Sequence, residues 1–333
     1  MIITINKRKI GDGFPAYFIA EAGINHNGNL KIAKKLISTA KECGADAVKF
    51  QTFKANDLTT EKSIYFKLLK NLELEDHEFL ELSDYAKSEK ITFLSTPFSN
   101  TAVKLLSKIK MPAFKIASGD LTDYPLLKNI SKKNKPILLS TGMTNLNEIK
   151  NAIKIIESNN KKIIILHSIS GYPYPMKEAN LKSIQTLSKV FKYPIGFSDN
   201  GNNELISLMA VALGAKVIEK HFTLNNKMKG PDQSISSTPS KFSKLIKQSR
   251  EFEIMLGDGL KKCQKSEILV RKNARRSLIV LSNISKGEKI NRNMVGIKRP
   301  GTGIQPKFFD SIMGKHAKYA LKSGKILSWN DIK

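Results

Sequence analysis

Cysteine is nearly absent from this chain of 333 residues: only Cys43 and Cys263 occur, and no C-x-x-C pair. That excludes a disulfide framework and a zinc site built on paired thiolates, and it fits a reducing, cytoplasmic setting. No apolar run approaches the ~20 residues that a membrane-spanning helix needs. The opening stretch MIITINKRKIGDGFPAYFIAEAG also lacks the basic, apolar, small-residue layout of a secretion signal. A cytoplasmic protein with no membrane partner is the expectation. Arginine is scarce too. Only seven of the 56 basic residues are Arg, leaving 49 Lys, and the formal net charge is +27. Those lysines are spread over nearly every segment, whereas a reader of DNA concentrates its cations on one surface. The charge is therefore read as a solvated surface, with no nucleic-acid partner. The exception is a cluster of arginines at positions 271, 275, 276, 292 and 299.

What the chain does have is a repeated short apolar run. AYFIAEAG, DAVKFQTF, ITFLSTPF, AFKIASGD, PILLSTG, IIILHSIS, PIGFSDN and KVIEKHFT begin near residues 16, 46, 91, 113, 136, 163, 194 and 216. Segments of helical periodicity separate them. Leu30, Ala33, Leu36, Ile37, Ala40 and Cys43 form one stripe; Leu205, Leu208, Met209 and Ala212 form another. Alternation of this kind predicts an α/β fold, a (β/α)8 TIM barrel. An open doubly wound sheet is the alternative, but no G-x-G-x-x-G follows the first run.

Each run starts apolar and turns polar at its C-terminal end: Glu21, Lys49 with Gln51, Thr96, Lys115 with Ser118, Ser140, His167, Ser198, and Glu219 with His221. In a strand, residues two apart share a face, so Glu219 and His221 point to one spot. A single such residue is explained by a helix cap or a satisfied core histidine. Eight at one rim are expected to form the active site, because barrel enzymes place their chemistry there. Two lysines and several hydroxyls, without a phosphate-binding glycine loop, suit a small substrate carrying phosphate and carboxylate. Glu21, Glu219 and His221 remain for acid–base work or a divalent metal.

After residue 262 the alternation stops. KGEKINRNMV and KSGKILSWNDI resemble each other, so that Gly287, Ile290, Asn293 and Val295 match Gly324, Leu327, Asn330 and Ile332. The expected organisation is a barrel over 1–262, a basic linker over 263–275 and a compact, mostly β module over 276–333. The module's bland role is stabilisation or dimerisation; its functional one is to bring Arg299 to a substrate, as a planar guanidinium suits carboxylate or acyl oxygens.

Taken together, IAEAGINHNG, VKFQTF, STPF, FKIASGD, LSTGM, GFSD, IEKHFT, GPD and IKRPGTGI resemble the sialic acid (nonulosonate) synthase family, and the tail is similar to its antifreeze-like (SAF) domain. The resemblance covers nearly the whole chain in order. It implies condensation of phosphoenolpyruvate with N-acetylmannosamine or a 2,4-diacetamido-6-deoxy analogue, with water added and phosphate released. It further implies a Mn²⁺ or Mg²⁺ ion and a domain-swapped homodimer; an amide at Asn200 in place of a histidine leaves that ion expected to be weakly held. Carried over, Lys49, Thr96, Lys115, Ser118, Ser140, Ser170 and Ser198 hold phosphoenolpyruvate. Glu21, Lys49, Asp120 and His221 are the catalytic set, while Gln51, Tyr172, Glu219, Asp232 and a partner's Arg299 contact the sugar. His221 and Asn200 are the metal positions.

Three departures from the family pattern stand out. SDN replaces the common SDH, so that an expected metal-binding histidine is Asn200; Asp120 stands where a glutamate is usual; and the stretch after Gln51 is short. KFQTF and ARRS are closer to the legionaminate and spore-coat branch. The rival readings are another phosphoenolpyruvate-dependent aldose synthase, an aldolase using Lys49 or Lys115 as a Schiff base, and a basic nucleic-acid-binding protein.

Overall fold

The computed structural model describes residues 1–333, which separate into two compact units, Met1–Gly257 and Asp258–Lys333. The larger unit is built on eight strands: β1 (Tyr17–Gly23), β2 (Ala47–Thr52), β3 (Thr92–Pro97), β4 (Phe114–Ile116), β5 (Ile137–Ser140), β6 (Ile163–Ser168), β7 (Ile195–Asp199) and β8 (Val217–His221). Their order in the sheet is β3-β2-β1-β8-β7-β6-β5-β4, and the paired neighbours run parallel. The sheet is a nearly closed TIM barrel, with a strand at each of the eight expected runs.

Period-two alternation divides each strand between two cores. Outward residues such as Phe18, Val48, Phe93, Ile116, Leu139, Ile165 and Ile218 pack against the surrounding helices. Inward residues near the strand starts, including Tyr17, Ile19, Ala47, Leu94, Leu138, Ile164 and Val217, form a separate inner cluster. An antiparallel hairpin, Ile3–Ile5 with Arg8–Ile10, adds Ile3, Ile5 and Ile10 to that cluster. The inner core therefore fills the barrel at the strand starts, and only the polar strand ends remain for a cavity.

Several helices begin where the sequence supplies caps. Leu30–Glu42 starts at Asn29, whose side chain accepts from the Lys31 and Ile32 amides, and it buries Ala33, Leu36, Ile37 and Ala40. The other expected stripe is corrected. Helix Glu204–Ala212 buries Ile206, Ser207, Ala210 and Val211, while Leu205 and Met209 are exposed. ELISLMAVA is apolar nearly all round, so its periodicity selects no unique face. The buried face is set by Ser207, turned inward to donate to Asp199 at 2.6 Å.

In the smaller unit, the segment expected as a linker carries helix Ile268–Ala274. Beyond it, β9 (Ser277–Val280) pairs antiparallel with β10 (Val295–Lys298). The internal repeat has a structural meaning. Gly287 and Gly324 have φ of +78° and +85°, a region glycine enters without strain. Each is followed by a buried aliphatic (Ile290, Leu327), a 3-10 turn (Arg292–Met294, Trp329–Asp331) and a buried β-branched residue (Val295, Ile332). These four side chains belong to one small core with Leu278, Ile284 and Leu321. No helix of the protein is long and apolar enough to cross a membrane.

Candidate active site

The strand ends of the barrel surround a cavity of about 390 Å³. Glu21 from β1, Lys49 and Gln51 from β2 and Thr96 from β3 line one side. Lys115 from β4, Ser118 from the following turn and Ser140 from β5 line the next. Ser170 and Tyr172 after β6, Ser198 and Asn200 at the end of β7, and Glu219 with His221 from β8 complete it. The structure thus brings thirteen of the sixteen expected site residues to one cavity wall.

Four buried charges form its floor. Lys49 Nζ lies 2.6 Å from Glu21 Oε2 and 3.6 Å from Glu219 Oε2, and donates to Thr96 Oγ1 at 3.0 Å. Lys115 Nζ lies 3.1 Å from Glu219 Oε1, which also accepts from Ser198 Oγ at 2.9 Å. Gln51 Nε2 donates to Glu21 Oε1 at 3.3 Å. Register places Lys49, Glu21 and His221 side by side across β2, β1 and β8.

The environment separates the two carboxyls. Burial pushes Glu219 up, but Lys115, Lys49 and the Ser198 hydroxyl outweigh it and hold it at about 2. Burial dominates at Glu21, with Glu219 adding to it, and raises this carboxyl despite Lys49. Burial lowers the Lys115 amine and the nearby Lys49 charge adds to that, whereas the two glutamates overcome burial and raise Lys49. One acid is therefore fixed as a carboxylate and the other is poised to hold a proton.

Hydroxyls aimed at the cavity are available to a ligand. Ser140 Oγ is buried without a partner, and Ser118 Oγ accepts from the Gly142 amide at 3.0 Å, leaving its own proton free. His221 Nδ1 is likewise buried and unpartnered; its closest carboxylate oxygen is Asp232 Oδ2 at 3.9 Å. Tyr172 packs edge-on to that imidazole with ring centroids 5.9 Å apart. No three His, Cys, Asp or Glu side chains gather as a metal cage. The donors fit a divalent ion with few protein ligands, which hard cations accept when substrate or water completes the shell. Those donors are His221 and Asp232, with Asn200, whose Nδ2 donates to Ile169 O at 2.8 Å and leaves its carbonyl oxygen free.

Three expected residues lie off the cavity wall. Asp232 approaches the site only through His221, and Arg299 lies in the smaller unit, just beyond β10. Asp120 sits in the Ser118–Asp120 turn with Oδ2 buried and unpartnered, and burial, with Asp123, pushes its carboxyl up to about 6. A raised carboxyl binds its proton more tightly in the folded state, so this group adds stability as pH falls from about 6 toward 3.8 and weakens the fold above that window. Asp120→Asn should stabilise the protein at pH 7 by about 1–2 kcal/mol, discounted for partial solvation, and by much less at pH 4. Urea unfolding at the two pH values checks this; an equal effect at both would show that Asp120 is not protonated in that range.

One rim residue is corrected. His167 does not face the cavity: its Nε2 hydrogen-bonds to Ala179 O at 2.9 Å and its ring packs on Phe197. Ser168 lines the cavity instead. The signal was present, because Ile164 and Leu166 point inward and period two continues to Ser168. Phe98 and Met143, which supply apolar wall, come from loops that carry no such pattern, and Leu58 comes from the short helix Ala55–Leu58.

Known proteins share this architecture. A model of the NeuB family matches residues 36–261, and a model of the SAF domain matches residues 275–333. The chain is 45% identical to an uncharacterized protein of Methanocaldococcus jannaschii, with 99% of this chain and 98% of that one covered. It is 42% identical to the N,N'-diacetyllegionaminic acid synthase of Campylobacter jejuni, over 93% of this chain and 98% of that one. The crystal structure of the N-acetylneuraminic acid (sialic acid) synthetase from Leptospira borgpetersenii, in complex with citrate, superposes with a TM-score of 0.78 at 36% identity, covering 80% of this chain and 94% of that one. With both models matching in register and similarity along nearly its full length, the chain belongs to the NeuB family.

Proposed function

We propose that the protein is a nonulosonic acid synthase that condenses phosphoenolpyruvate with an N-acetylated amino sugar and water, releasing phosphate. The observation that carries this reading is the cavity floor: two buried lysines beside two buried carboxyls, with the unpartnered Ser140 hydroxyl on the same cavity wall. Lys49, Lys115, Thr96, Ser118, Ser140, Ser170 and Ser198 bind the phosphate and carboxylate of phosphoenolpyruvate through charge-assisted hydrogen bonds. Gln51, Tyr172, Glu219 and Asp232 orient the open-chain sugar. Arg299, supplied by the partner in a swapped homodimer, holds its acyl group.

The methylene carbon of phosphoenolpyruvate forms the new C–C bond to the aldehyde carbon, and the aldehyde oxygen takes up a proton. Water then adds at the former enol carbon and loses a proton, and the tetrahedral centre expels phosphate by C–O cleavage, the new hydroxyl's remaining proton leaving with the phosphate as the keto group forms. Glu21, whose carboxyl burial raises, gives the first proton and accepts the second. A divalent ion held at His221 would polarise the aldehyde oxygen as negative charge develops there. Phosphoenolpyruvate labelled with oxygen-18 in its bridging position, incubated with a panel of N-acetylated hexoses, tests the reading by mass spectrometry. A condensed keto acid and labelled phosphate are expected; label kept in the organic product would overturn it.

One observation favours the rival aldolase: burial and Lys49 lower the Lys115 amine, as imine formation requires. Against it stands Glu219 at 3.1 Å, which stabilises the ammonium. Borohydride added during turnover should therefore trap nothing and leave activity intact. An adduct mapped to Lys115 would establish the imine.

A further inference from the structure

The last two cross-strand pairs between β7 and β8 face opposite ways. Ser198 stands opposite Glu219, and the two share a hydrogen bond inside the cavity. Asp199 stands opposite Lys220 in the next pair, and their carboxylate and ammonium meet 2.8 Å apart with both side chains fully buried. Nothing in the proposed reaction uses this second pair.

Its other contacts give it a purpose. Asp199 Oδ1 accepts from Tyr174 Oη at 2.8 Å and from the Gly201 amide at 2.9 Å. Its Oδ2 accepts from Ser207 Oγ at 2.6 Å as well as from Lys220, and Lys220 also donates to Gly201 O at 2.9 Å. One ion pair therefore ties together the loop after β6, the turn after β7, helix Glu204–Ala212 and strand β8. Tyr174 lies two residues beyond Tyr172, and Gly201 directly follows Asn200; both Tyr172 and Asn200 line the cavity beside His221. Lys49, Lys115, Ser118 and Ser140 stand on other elements, with no hydrogen bond or ion pair to this network, whereas Ser170 and Ser198 stand on elements it ties.

Taking two charges out of water costs about as much as their attraction returns, so apolar side chains of similar size could hold the wall equally well. They could not direct four separate elements, as a fully satisfied carboxylate can. We propose that Asp199 and Lys220 are positioning residues, an ion pair behind the cavity wall that holds the Tyr172 and Asn200 loops in place for the sugar. This rests on the synthase reading given above. It assigns Tyr172 and Asn200 to their control, and leaves the two lysines proposed to hold phosphoenolpyruvate outside it.

The test uses the full-length protein with Asp199→Asn and Lys220→Met combined, which removes both charges at nearly constant volume. Amide hydrogen exchange in segments 171–176 and 200–203 should accelerate together by about tenfold or more, with segments 118–121 and 142–144 unchanged. The KM for the amino sugar should rise about tenfold or more while the Kd for phosphoenolpyruvate stays within about threefold. Should the double variant fail to fold, Tyr174→Phe cuts the same network at a neutral bond, and the same pattern is expected in segment 171–176 and in the sugar KM. Unchanged exchange in those segments, or equal losses for sugar and phosphoenolpyruvate, would overturn the proposal. Exchange needs no turnover, so a parent protein that makes no product refutes the synthase reading while exchange still judges the ion pair.

Discussion

Lys49→Met is expected to remove turnover and to destabilise the barrel in one step. The ammonium it deletes lies 2.6 Å from Glu21 and 3.6 Å from Glu219, with its side chain only 2% exposed. Without it, two buried carboxyls share the single cation of Lys115, and leaving a buried charge uncompensated costs about 3–5 kcal/mol. Glu21, already raised by burial, takes up a proton outright and can no longer accept one from water. On the proposed reading phosphoenolpyruvate would lose one of two cations at once, so kcat/KM should fall about a thousandfold or more. Titration of phosphoenolpyruvate and a urea melt measure the two effects separately.

A second substitution separates the causes. Glu21→Gln with Lys49→Met leaves Glu219 paired to Lys115 and removes the unpaired carboxyl. Most of the lost stability should return, whereas activity should not. If the single variant saturates normally with phosphoenolpyruvate, Lys49 is no part of the anion site. If the pair recovers no stability, the Glu21–Lys49 contact is not what held that side of the barrel.

The positions of the eight strands were legible because each is a short apolar run with a polar end, and β1 to β8 each fall on one of those runs. The cavity was legible for the same reason, since inward-facing residues at strand ends have little to do except meet a ligand. Period two also decides between neighbours: it selects Ser168 over His167, although imidazole draws the eye as the more reactive group. The paired glycines at 287 and 324 mark equivalent turns through their matched spacing to an aliphatic, an asparagine and a β-branched residue. What stayed hidden depends on neighbours distant in the chain. Asp199 directly precedes Asn200 in the chain and invites a place in the site, yet its oxygens are filled by Tyr174, Gly201, Ser207 and Lys220. No local pattern says that a lysine on the outer face of β8 meets an aspartate on β7. The face of helix Glu204–Ala212 was hidden for the complementary reason, an excess of apolar residues that made every face plausible.

Chelation should abolish activity, and millimolar divalent ion should restore it. His221 Nδ1 is a buried ring nitrogen with no partner, and a carboxylate oxygen of Asp232 lies 3.9 Å from it. That separation is too long for a hydrogen bond, so the ring nitrogen and the carboxylate stand near one another unpaired and would be the residues to hold a divalent ion. Asn200 adds an amide oxygen where an imidazole would bind transition metals more firmly, so the ion should exchange readily and Mg²⁺ should compete with Mn²⁺. Direct titration of Mn²⁺ by paramagnetic resonance reads the site without turnover. His221→Ala should abolish binding, and Asp232→Asn should weaken it about tenfold or more, since a coordinating carboxylate charge is lost. Asn200→His should tighten Mn²⁺ relative to Mg²⁺, provided the new ring keeps the hydrogen bond to Ile169 O that anchors the amide now. Full activity in excess EDTA would remove the metal from the reaction. Mn²⁺ bound as tightly by His221→Ala as by the parent would place it elsewhere in the molecule.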